Sequence, residues 1–496
     1  MPSSVVARIL AALLLFVSLT IASARADTAE RRLASAGLLA DVDVLERAYT
    51  ELHPGLYRYN TPDRMARHFD ALRHEFRSDR TLAEAYLAFS VFAAKIRCGH
   101  TYANFYNQPE SIAQALFKAT NRVPFQFRWL HGRMVVTRNL STETSLVPGT
   151  EVLSIAGVPA RRILARLMTI ARADGGNDAK RVASLEVRGD DRYEAFDIFL
   201  PLFFREVGAR QELIVRAPTD RLPRRVTVDA LSHEQRLATR TAPIADDAAA
   251  FSLDIRADGV AVLDMPGWAL YDSAWDWRGF LEQTFASLNA RAPRALIIDV
   301  RRNEGGLSVG DELLAHLGAT AITLPKLERR VRYRSTPEAL RPYLTTWDRS
   351  FHDWGDAAKP LGGGYFRLLR EGENAEGDVI EAKSPRYRGR VYVLVGATNS
   401  SATFEFANAI RGSGLGTLVG QTTGGNRRGI NGGAFFFLRL PNSTIELDLP
   451  LVGQFPLDPQ PDAGIEPDIA VRVTRADVAN GRDVELDAAL ADLAHR

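Results

Sequence analysis

The first residues that could do chemistry form a serine-rich turn after an apolar segment. Val391 to Val395 predicts a buried strand, and Ser401 stands where small polar residues turn the chain into a helix. A helix start presents unpaired backbone N–H groups and the positive end of the helix dipole, which favour an oxyanion beside the serine. Ser401 is therefore a candidate nucleophile. Its alternative role is that of an ordinary helix N-cap, which serine fills very often.

Two further segments place unusual residues at the ends of predicted elements. The apolar strand Leu296 to Val300 runs into Gly305-Gly306, and paired glycines let backbone approach a ligand and present an N–H to a developing charge. His100 follows a predicted helix and is a candidate general base. No two histidines have the H-E-x-x-H or similar spacing of a zinc site. We therefore expect neither a metal nor a cofactor.

The only cysteine, Cys98, lies two residues before His100 and is an alternative nucleophile. Residues two apart do not face each other on a helix, and in a strand their geometry rarely suits an in-line reaction. We expect Cys98 to be a small buried apolar residue. A single cysteine also excludes an internal disulfide.

Taken in order along the chain, these segments resemble those of the tail-specific, or C-terminal-processing, serine peptidase family. The matching stretches are Gly99-His100-Thr101, Asp299 to Gly306, Ser401-Ala402-Thr403, Gly420 to Gly425 and Gly464 to Ile469. As an ordered set they cover nearly all of the chain after its first residues.

The resemblance implies that Ser401 is the nucleophile and that the N–H of Ala402, with one N–H from Gly305-Gly306, holds the oxyanion. The branch of the family with a Ser-Lys dyad has a lysine at the position of Asn426, and no lysine occurs after Lys383. The tricorn-like branch uses a histidine from the H-T segment instead. We therefore expect His100 to act as general base and then acid.

The groups that orient His100 are less directly implied. The tricorn-like pattern has a serine before the histidine, whereas this chain has Gly99, so that Thr101 or a water would have to substitute. The family's carboxylate precedes the G-V-x-P-D stretch, and the nearest candidate is Asp462, which is alternatively a solvated loop residue. Glu405 stands one place later than the family's glutamate and is alternatively a charge on the helix face.

A glycine-rich stretch follows the serine helix and contains Arg427 and Arg428. It is interpreted either as a mobile lid whose arginines bind a substrate carboxylate or as a hairpin loop with solvated charges.

The surrounding elements predict an α/β multidomain fold. Helical spacing over 38–96 predicts a helical N-terminal domain, and alternation from Phe125 to Trp129 begins a β-rich domain. Its Pro148 to Pro159 stretch resembles the peptide-binding PDZ-like module, the alternative being another small β-rich domain. Strands and helices alternate from Val260, which predicts a largely parallel sheet and, with the resemblance, a crotonase-like α/β protease domain. The expected divisions are 1–26 (signal peptide), 27–120 (helical), 121–245 (PDZ-like with an insertion) and 246–496 (protease).

The first residues predict export. Arg8 precedes an apolar run from Ile9 to Ala22, and Ala24-Arg25-Ala26 has the small-x-small pattern that signal peptidase cleaves. An uncleaved anchor is the alternative, although the run is short for a membrane span. We expect a periplasmic or extracellular protein without a membrane span after cleavage.

The net charge of the chain does not indicate a polyanionic partner. The chain of 496 residues has 62 Lys and Arg against 60 Asp and Glu, a net charge of +2. Without the leader and its two arginines, the balance is even. Binding to nucleic acid is therefore not expected.

Two functions agree with these observations. The favoured one is a secreted serine-type peptidase that acts on peptides or unfolded proteins through Ser401 and His100. The alternative is a catalytically silent protein that binds a peptide or a hydrophobic ligand on the same scaffold, as in the retinoid-binding relatives. Gly99 and the uncertain carboxylate Asp462 motivate that alternative.

Overall fold

The fold was analysed in a computed structural model, which describes residues 30–240, 248–369 and 378–495. The predicted signal peptide and its cleavage site lie outside these residues. Within the described ranges, no helix combines the length and apolarity needed to cross a membrane.

Helices dominate the N-terminal part. Their starts follow local rules: Thr61 caps the second helix ahead of Pro62, and Thr81 forms a reciprocal capping box with Glu84 at the third. A short antiparallel strand pair precedes the first and third helices. The elements are β1 Arg32–Leu33, α1 Ser35–Leu52, α2 Pro62–Glu75, β2 Arg80–Thr81, α3 Leu82–Lys95 and α4 Glu110–Phe117.

A β-rich part follows, with an antiparallel sheet in the order β3-β4-β5-β7-β8 and β6 paired to β5. A tight turn at His131-Gly132, both with positive φ, joins the first two strands as the alternating pattern predicts. The elements are β3 Phe125–Leu130, β4 Arg133–Asn139, β5 Glu151–Ile155, β6 Val158–Pro159, α5 Ala160–Leu167, α6 Asp178–Ala183, α7 Ala195–Phe203, β7 Arg210–Arg216, β8 Arg224–Asp229 and α8 His233–Ala238.

The C-terminal part contains two larger sheets. Its strands are β9 Ser252–Ile255, β10 Val260–Asp264, β11 Ala295–Asp299, β12 Ile322–Thr323, β13 Leu327–Val331, β14 Leu344–Thr345, β15 Ala358–Gly362, β16 Tyr365–Leu368, β17 Val379–Ile380, β18 Arg390–Val395, β19 Thr417–Gly420, β20 Asn431–Arg439, β21 Glu446–Pro456 and β22 Ile469–Ala470. Its α-helices are α9 Trp277–Arg291, α10 Val309–Leu317, α11 Ala402–Ser413, α12 Arg475–Ala479 and α13 Val484–His495.

The first sheet has the order β22-β19-β18-β11-β10-β9, and every pairing except that of β9 is parallel. Side chains of β11 alternate between its two faces: Leu296 and Ile298 pack with α9, α10 and α11, whereas Ala295 and Ile297 pack towards α13. A parallel sheet covered on both faces is what the alternating strand and helix pattern predicts.

The second sheet is antiparallel, in the order β14-β20-β21-β13-β16-β15. It is built from the β20–β21 hairpin together with strands from the polar stretch 326–388. Its buried face belongs to the same hydrophobic cluster as helices α1 to α3 and the middle sheet. The N-terminal helices therefore pack on a sheet whose central strands lie about 400 residues later.

The predicted mixed α/β multidomain fold is confirmed. The strands and helices expected from 260 to 420 agree with β10, α9, β11, α10, β18, α11 and β19 to within a few residues. The four domain boundaries and the PDZ-like character of the middle part stay predictions.

Candidate active site

Ser401 lies between strand β18 and helix α11 in a strained conformation. Its φ of 52° and ψ of −132° are unusual for a residue with a side chain. It occupies the N-cap position, but its side chain makes no capping hydrogen bond. The N–H of Ala402 has no hydrogen-bond partner among the described residues. The turn thus leaves both a hydroxyl and an N–H uncommitted, which an ordinary N-cap serine would not do.

The Gly305-Gly306 turn lies directly against this serine. A methyl group added to Gly305 would lie 2.9 Å from Ser401 Cβ and 3.1 Å from Ala402 N. Both glycines have φ above +110°, and a methyl group on Gly306 would collide with Trp268 O at 2.1 Å. The two glycines are therefore required by close approach and by backbone conformation.

The two N–H groups of the Gly305-Gly306 turn differ in availability. The N–H of Gly305 donates to Asn303 Oδ1 at 2.9 Å, so it is already engaged. No partner is found for the N–H of Gly306 in the described part of the chain. Of the two N–H groups in this turn, Gly306 supplies the available one.

Two buried asparagines fasten the glycine turn to the serine loop. Asn303 Oδ1 also accepts from Thr403 Oγ1 at 2.9 Å, and Asn399 Nδ2 donates to Asn303 O at 2.9 Å. Ser400 Oγ donates to Glu304 O at 3.1 Å. These bonds fix both segments with few degrees of freedom, as a preorganised charge-stabilising site requires.

His100 lies just beyond α3, against the start of β20. Its ring centroid is 5.8 Å from that of Phe435, and a methyl group on Gly432 would lie 3.9 Å from His100 Nε2. Burial lowers the pKa of His100 below 6.5, while the charge of Asp174 acts in the opposite direction. The imidazole is therefore neutral at neutral pH and able to accept a proton.

A cluster of opposite charges joins the His100 segment to the glycine turn. Arg172 donates to Gly99 O at 2.7 Å and to Glu304 Oε2 at 3.3 Å, and Lys180 Nζ lies 2.6 Å from Glu304 Oε1. Loss of hydration raises the pKa of the Glu304 carboxyl. The positive charges of Arg172 and Lys180 lower it by more and hold the pKa at about 2. The carboxylate is therefore charged and holds both cations in place.

Lys180 also reaches the serine loop. Its Nζ donates to Thr398 O at 2.9 Å, and the side chain is 3% exposed. Desolvation lowers the pKa of Lys180, while Glu304 opposes that effect. A lysine thus lies beside the serine loop although no lysine follows Lys383 in the sequence. Its bond to Glu304 favours the charged ammonium form, which cannot act as a base.

Asp174 and Asp462 differ in whether they contact the histidine segment. Asp174 accepts from the N–H of Gly99 at 2.9 Å and is 1% exposed. Asp462, the predicted orienting carboxylate, accepts instead from the N–H of Gly176 at 2.8 Å and from Asn426 Nδ2 at 2.7 Å. Asp462 therefore contacts the turn that follows Asp174, and its role in orienting His100 stays a prediction.

Thr101, which the sequence suggests as a partner that orients His100, does not bond to it. His100 Nδ1 is buried and has no hydrogen-bond partner among the described residues. Thr101 Oγ1 pairs with His53 Nε2 at 2.8 Å rather than with His100. Because His53 Nδ1 accepts from the N–H of Gly55, the His53 proton lies on Nε2, and Thr101 accepts it. Thr101 thus does not fill the place of the missing serine.

Cys98 is a buried thiol, as predicted. It is 2% exposed and pairs with Asn431 Nδ2 at 3.2 Å. Burial raises the pKa of Cys98 to about 11, so the thiol is protonated at neutral pH. It is therefore a poor nucleophile. Across the described ranges, no group of three or more His, Cys, Asp or Glu side chains is placed to hold a metal ion.

The glycine-rich stretch packs tightly at its start. A methyl group on Gly424 would lie 2.2 Å from Ala397 O, and one on Gly425 would lie 2.3 Å from Phe404 Cγ. Such close packing supports the serine loop and argues against a lid at this point. Arg427 and Arg428 are exposed and donate to the side-chain and backbone oxygens of Gln460, respectively. Their predicted substrate contact stays a prediction.

Glu405 lies outside the cluster of opposite charges. It lines a cavity of about 680 Å³ together with Phe404 and Arg427.

The segment from 172 to 188 contributes to the site, although the sequence did not predict that it would. This segment supplies Arg172, Asp174 and Lys180, and Asn177 Nδ2 donates to Thr423 O at 2.8 Å. The only local signal is the Asp-Gly-Gly-Asn-Asp run at 174–178, where Asn177 caps helix α6. Its bonds to the histidine segment, the glycine turn and the serine loop are with distant parts of the chain, which no periodic pattern reveals.

Comparison with known proteins agrees with the resemblance found in the sequence. Residues 259–471 match peptidase family S41. Comparison with curated proteins gave no match.

Solved structures extend the likeness to the whole fold. Mature CPAF complexed with lactacystin superposes with a TM-score of 0.62 at 15% identity, covering 92% of this chain and 99% of that chain. Mature CPAF alone gives 0.60 at 16% identity, with 92% and 98% covered. At this identity the likeness establishes the fold alone. The family match is confined to residues 259–471, the stretch that contains the glycine turn and Ser401, and this stretch is similar to peptidase family S41, a family of serine-type peptidases.

Proposed function

We propose that the protein is an exported serine-type peptidase that hydrolyses peptide bonds with Ser401 as nucleophile and His100 as general base. The observation that carries the proposal is the strained turn at Ser401, whose neighbour Ala402 has an unpaired N–H beside the glycine turn. Strain at a residue with no capping role is expected where a site is preorganised for chemistry.

The proposed reaction has two halves. His100 takes the proton of Ser401 Oγ as the oxygen attacks the scissile carbonyl, and the N–H groups of Ala402 and Gly306 stabilise the oxyanion. His100 then returns the proton to the departing amine, leaving an acyl-serine. In the second half, His100 takes a proton from water, which attacks the ester, and the acid product and free serine result.

Charge around His100 supports this assignment of roles. A neutral imidazole is needed for the first step, and an imidazolium must be tolerated afterwards. Burial favours the neutral form, while the nearby carboxylates of Asp174 and Glu304 favour the charged one. The balance of the two effects suits a group that alternates between base and acid.

The test is covalent labelling of the purified mature protein with a fluorophosphonate probe. We expect labelling of the wild type, no labelling of Ser401→Ala and retained labelling of the matched control Ser400→Ala at a reduced rate. Cleavage of a broad peptide library should follow the same order. A folded wild type that neither takes up the probe nor cleaves any peptide would contradict the proposal.

A second candidate function is that of a catalytically silent binding protein. The unpaired Nδ1 of His100 favours it, because a catalytic histidine is normally oriented through that atom. It would be supported by a ligand that remains bound through purification and is bound equally by Ser401→Ala, with no activity in either protein.

Export rests on the sequence of the first 26 residues. Mass spectrometry of the protein recovered from its natural compartment should give a mature N-terminus near Asp27. An intact Met1 would indicate an uncleaved anchor or a protein that is not exported.

A further inference from the structure

Strand β20 presents an irregular face towards His100. Its register with β21 shifts between Gly432 and Phe435, where two residues of β20 oppose a single residue of β21. Such a bulge adds one residue and reverses the alternation of side chains. Gly432 therefore lies on the same face as Phe435 and Phe437, whereas Ala434 and Phe436 point into the core.

This face begins at the proposed general base. His100 contacts both Gly432 and Phe435, which are on the same face only because of the bulge. The face continues along the strand to Phe437, about 7 Å beyond Phe435 at the usual rise per residue. Any chain segment held in the active site and extended along β20 would pass over these rings.

Trp347 completes an aromatic shelf, which we define as Trp347, Phe435 and Phe437. The indole lies 5.8 Å from each phenylalanine ring, between centroids. Trp347 is 60% exposed, and both phenylalanines are partly exposed. No ionisable residue occurs from Asn431 to Phe437. The shelf is therefore an apolar surface adjoining a reactive centre.

The main chain of β20 beside the shelf is largely unpaired with other strands on one side. On the side of β20 away from β21, the paired strand is β14, whose two residues oppose only Phe437 and Leu438. In the described part of the chain, no strand pairs with Asn431 to Phe436 on that side. An extended peptide that added to this edge as a strand would direct every second side chain to one face.

We propose that the shelf is a specificity subsite that binds a large apolar or aromatic side chain of an extended peptide substrate, within three residues of the scissile bond. This inference rests on the proposed peptidase function and names the class of peptide that it acts on. Aromatic side chains gain from burial and from ring contacts on such a surface, whereas a carboxylate would lose hydration there.

Binding is tested apart from catalysis in the Ser401→Ala variant. The probes are two matched peptides, taken from whichever library sequence the wild type cleaves best, with Phe or Asp at the position within three residues of the bond. If nothing is cleaved, an Ala-based decapeptide pair with Phe or Asp at a central position is used. We expect the Phe peptide to bind about tenfold more tightly, the factor typical of one well-buried apolar side chain.

Fluorescence locates the contact. The chain has six tryptophans, and we expect the Phe peptide to change the emission of Ser401→Ala. The double variant Ser401→Ala, Trp347→Phe should bind about as tightly but lose that change. Equal binding of the two peptides, or an emission change that survives Trp347→Phe, would overturn the inference.

Activity provides the matched comparison. Trp347→Ala should lower kcat/KM for the Phe peptide about tenfold and leave the Asp peptide unchanged, and Leu222→Ala, at another exposed apolar residue, should change neither. Unaltered selectivity in Trp347→Ala would refute the subsite while leaving the peptidase function intact. Absence of cleavage in the wild type, with the binding preference preserved, would refute the peptidase and keep the shelf as a ligand site.

Discussion

At the scale of single residues, the candidate site is defined by groups that lack their ordinary partners. Ser401 does not cap its helix, Ala402 and Gly306 keep free N–H groups, and His100 Nδ1 is buried without a bond. Unsatisfied polar groups cost stability in a folded protein and are accordingly rare. Ser401, Ala402 and Gly306 lie on two turns that pack against each other, where the proposed oxyanion would be held.

The charge state of His100 makes the activity depend on pH in a defined direction. Because burial lowers its pKa below 6.5, the acidic limb of kcat/KM should lie below pH 6.5, where the imidazole becomes protonated and ceases to be a base. Asp174 stabilises the imidazolium, so Asp174→Asn should move the limb to lower pH. Removing the cation in Arg172→Gln should move it to higher pH.

The control for these shifts is Asp178→Asn, which removes a largely exposed carboxylate from the same segment and should leave the limb in place. The measurement is kcat/KM from pH 4 to 9. A limb at or above pH 6.5 in the wild type, or shifts of the opposite sign, would show that another group controls protonation.

At the scale of elements, the segment from 172 to 188 holds the site together. It bonds to the backbone of Gly99, to Glu304 in the glycine turn and to Thr398 in the serine loop. Arg188 adds a bond to Thr398 Oγ1 at 2.6 Å. The segment therefore joins the histidine segment to the glycine turn and the serine loop, and it adds to the direct bonds between the last two that Asn303 and Asn399 make.

Lys180 is the sharpest test of that dependence. Lys180→Met removes the bridge between Glu304 and Thr398, and misplacement of the two loops should lower kcat roughly 100-fold with little change in KM. The rate of fluorophosphonate labelling should fall in parallel. The matched control is Lys359→Met at an exposed position in β15, which should behave like the wild type. Normal kcat and labelling in Lys180→Met would show that the loops position themselves.

The sequence predicts the local elements of the site but not the long-range contacts between them. β18, α11 and the glycine turn follow from apolar periodicity and from the positive φ that paired glycines allow, and both are local properties. The contacts of Lys180 with Glu304 and Thr398 span 124 and 218 residues. Neither periodicity nor composition determines which distant groups meet, and so this part of the site was not predicted.

At the scale of the whole molecule, the N-terminal helices are joined to the last large sheet. One hydrophobic cluster includes α1, α3 and both strands of the β20–β21 hairpin. Asp41 of α1 is fully buried and accepts from the backbone N–H groups of Asn442 and Ser443, each at 2.8 Å, and from Asn442 Nδ2 at 2.9 Å. This carboxylate satisfies the turn of the hairpin on which His100 rests.

Removal of that carboxylate should weaken the whole assembly. Asp41→Ala leaves the buried N–H of Ser443 and the partly buried N–H of Asn442 without their acceptor, and we expect the free energy of unfolding to fall by about 3 kcal/mol. Urea denaturation followed by circular dichroism measures the change through the transition midpoint. Asp70→Ala, at an exposed position of α2, should stay within about 0.5 kcal/mol of the wild type. Equal midpoints for the two variants would mean that the turn is satisfied by water.

The sequence by itself determined the order of elements, the serine and histidine segments, the glycine turn and the resemblance to a peptidase family, because each depends on residues close together in the chain. Tertiary structure decided which N–H of the turn is free, which aspartate lies against the histidine segment and which lysine reaches the serine loop. It also decided that a bulge places Gly432 and Phe435 on one face. These outcomes depend on packing between distant segments, and a pattern of period 2 or 3.6 fixes the face of a residue without fixing its partner.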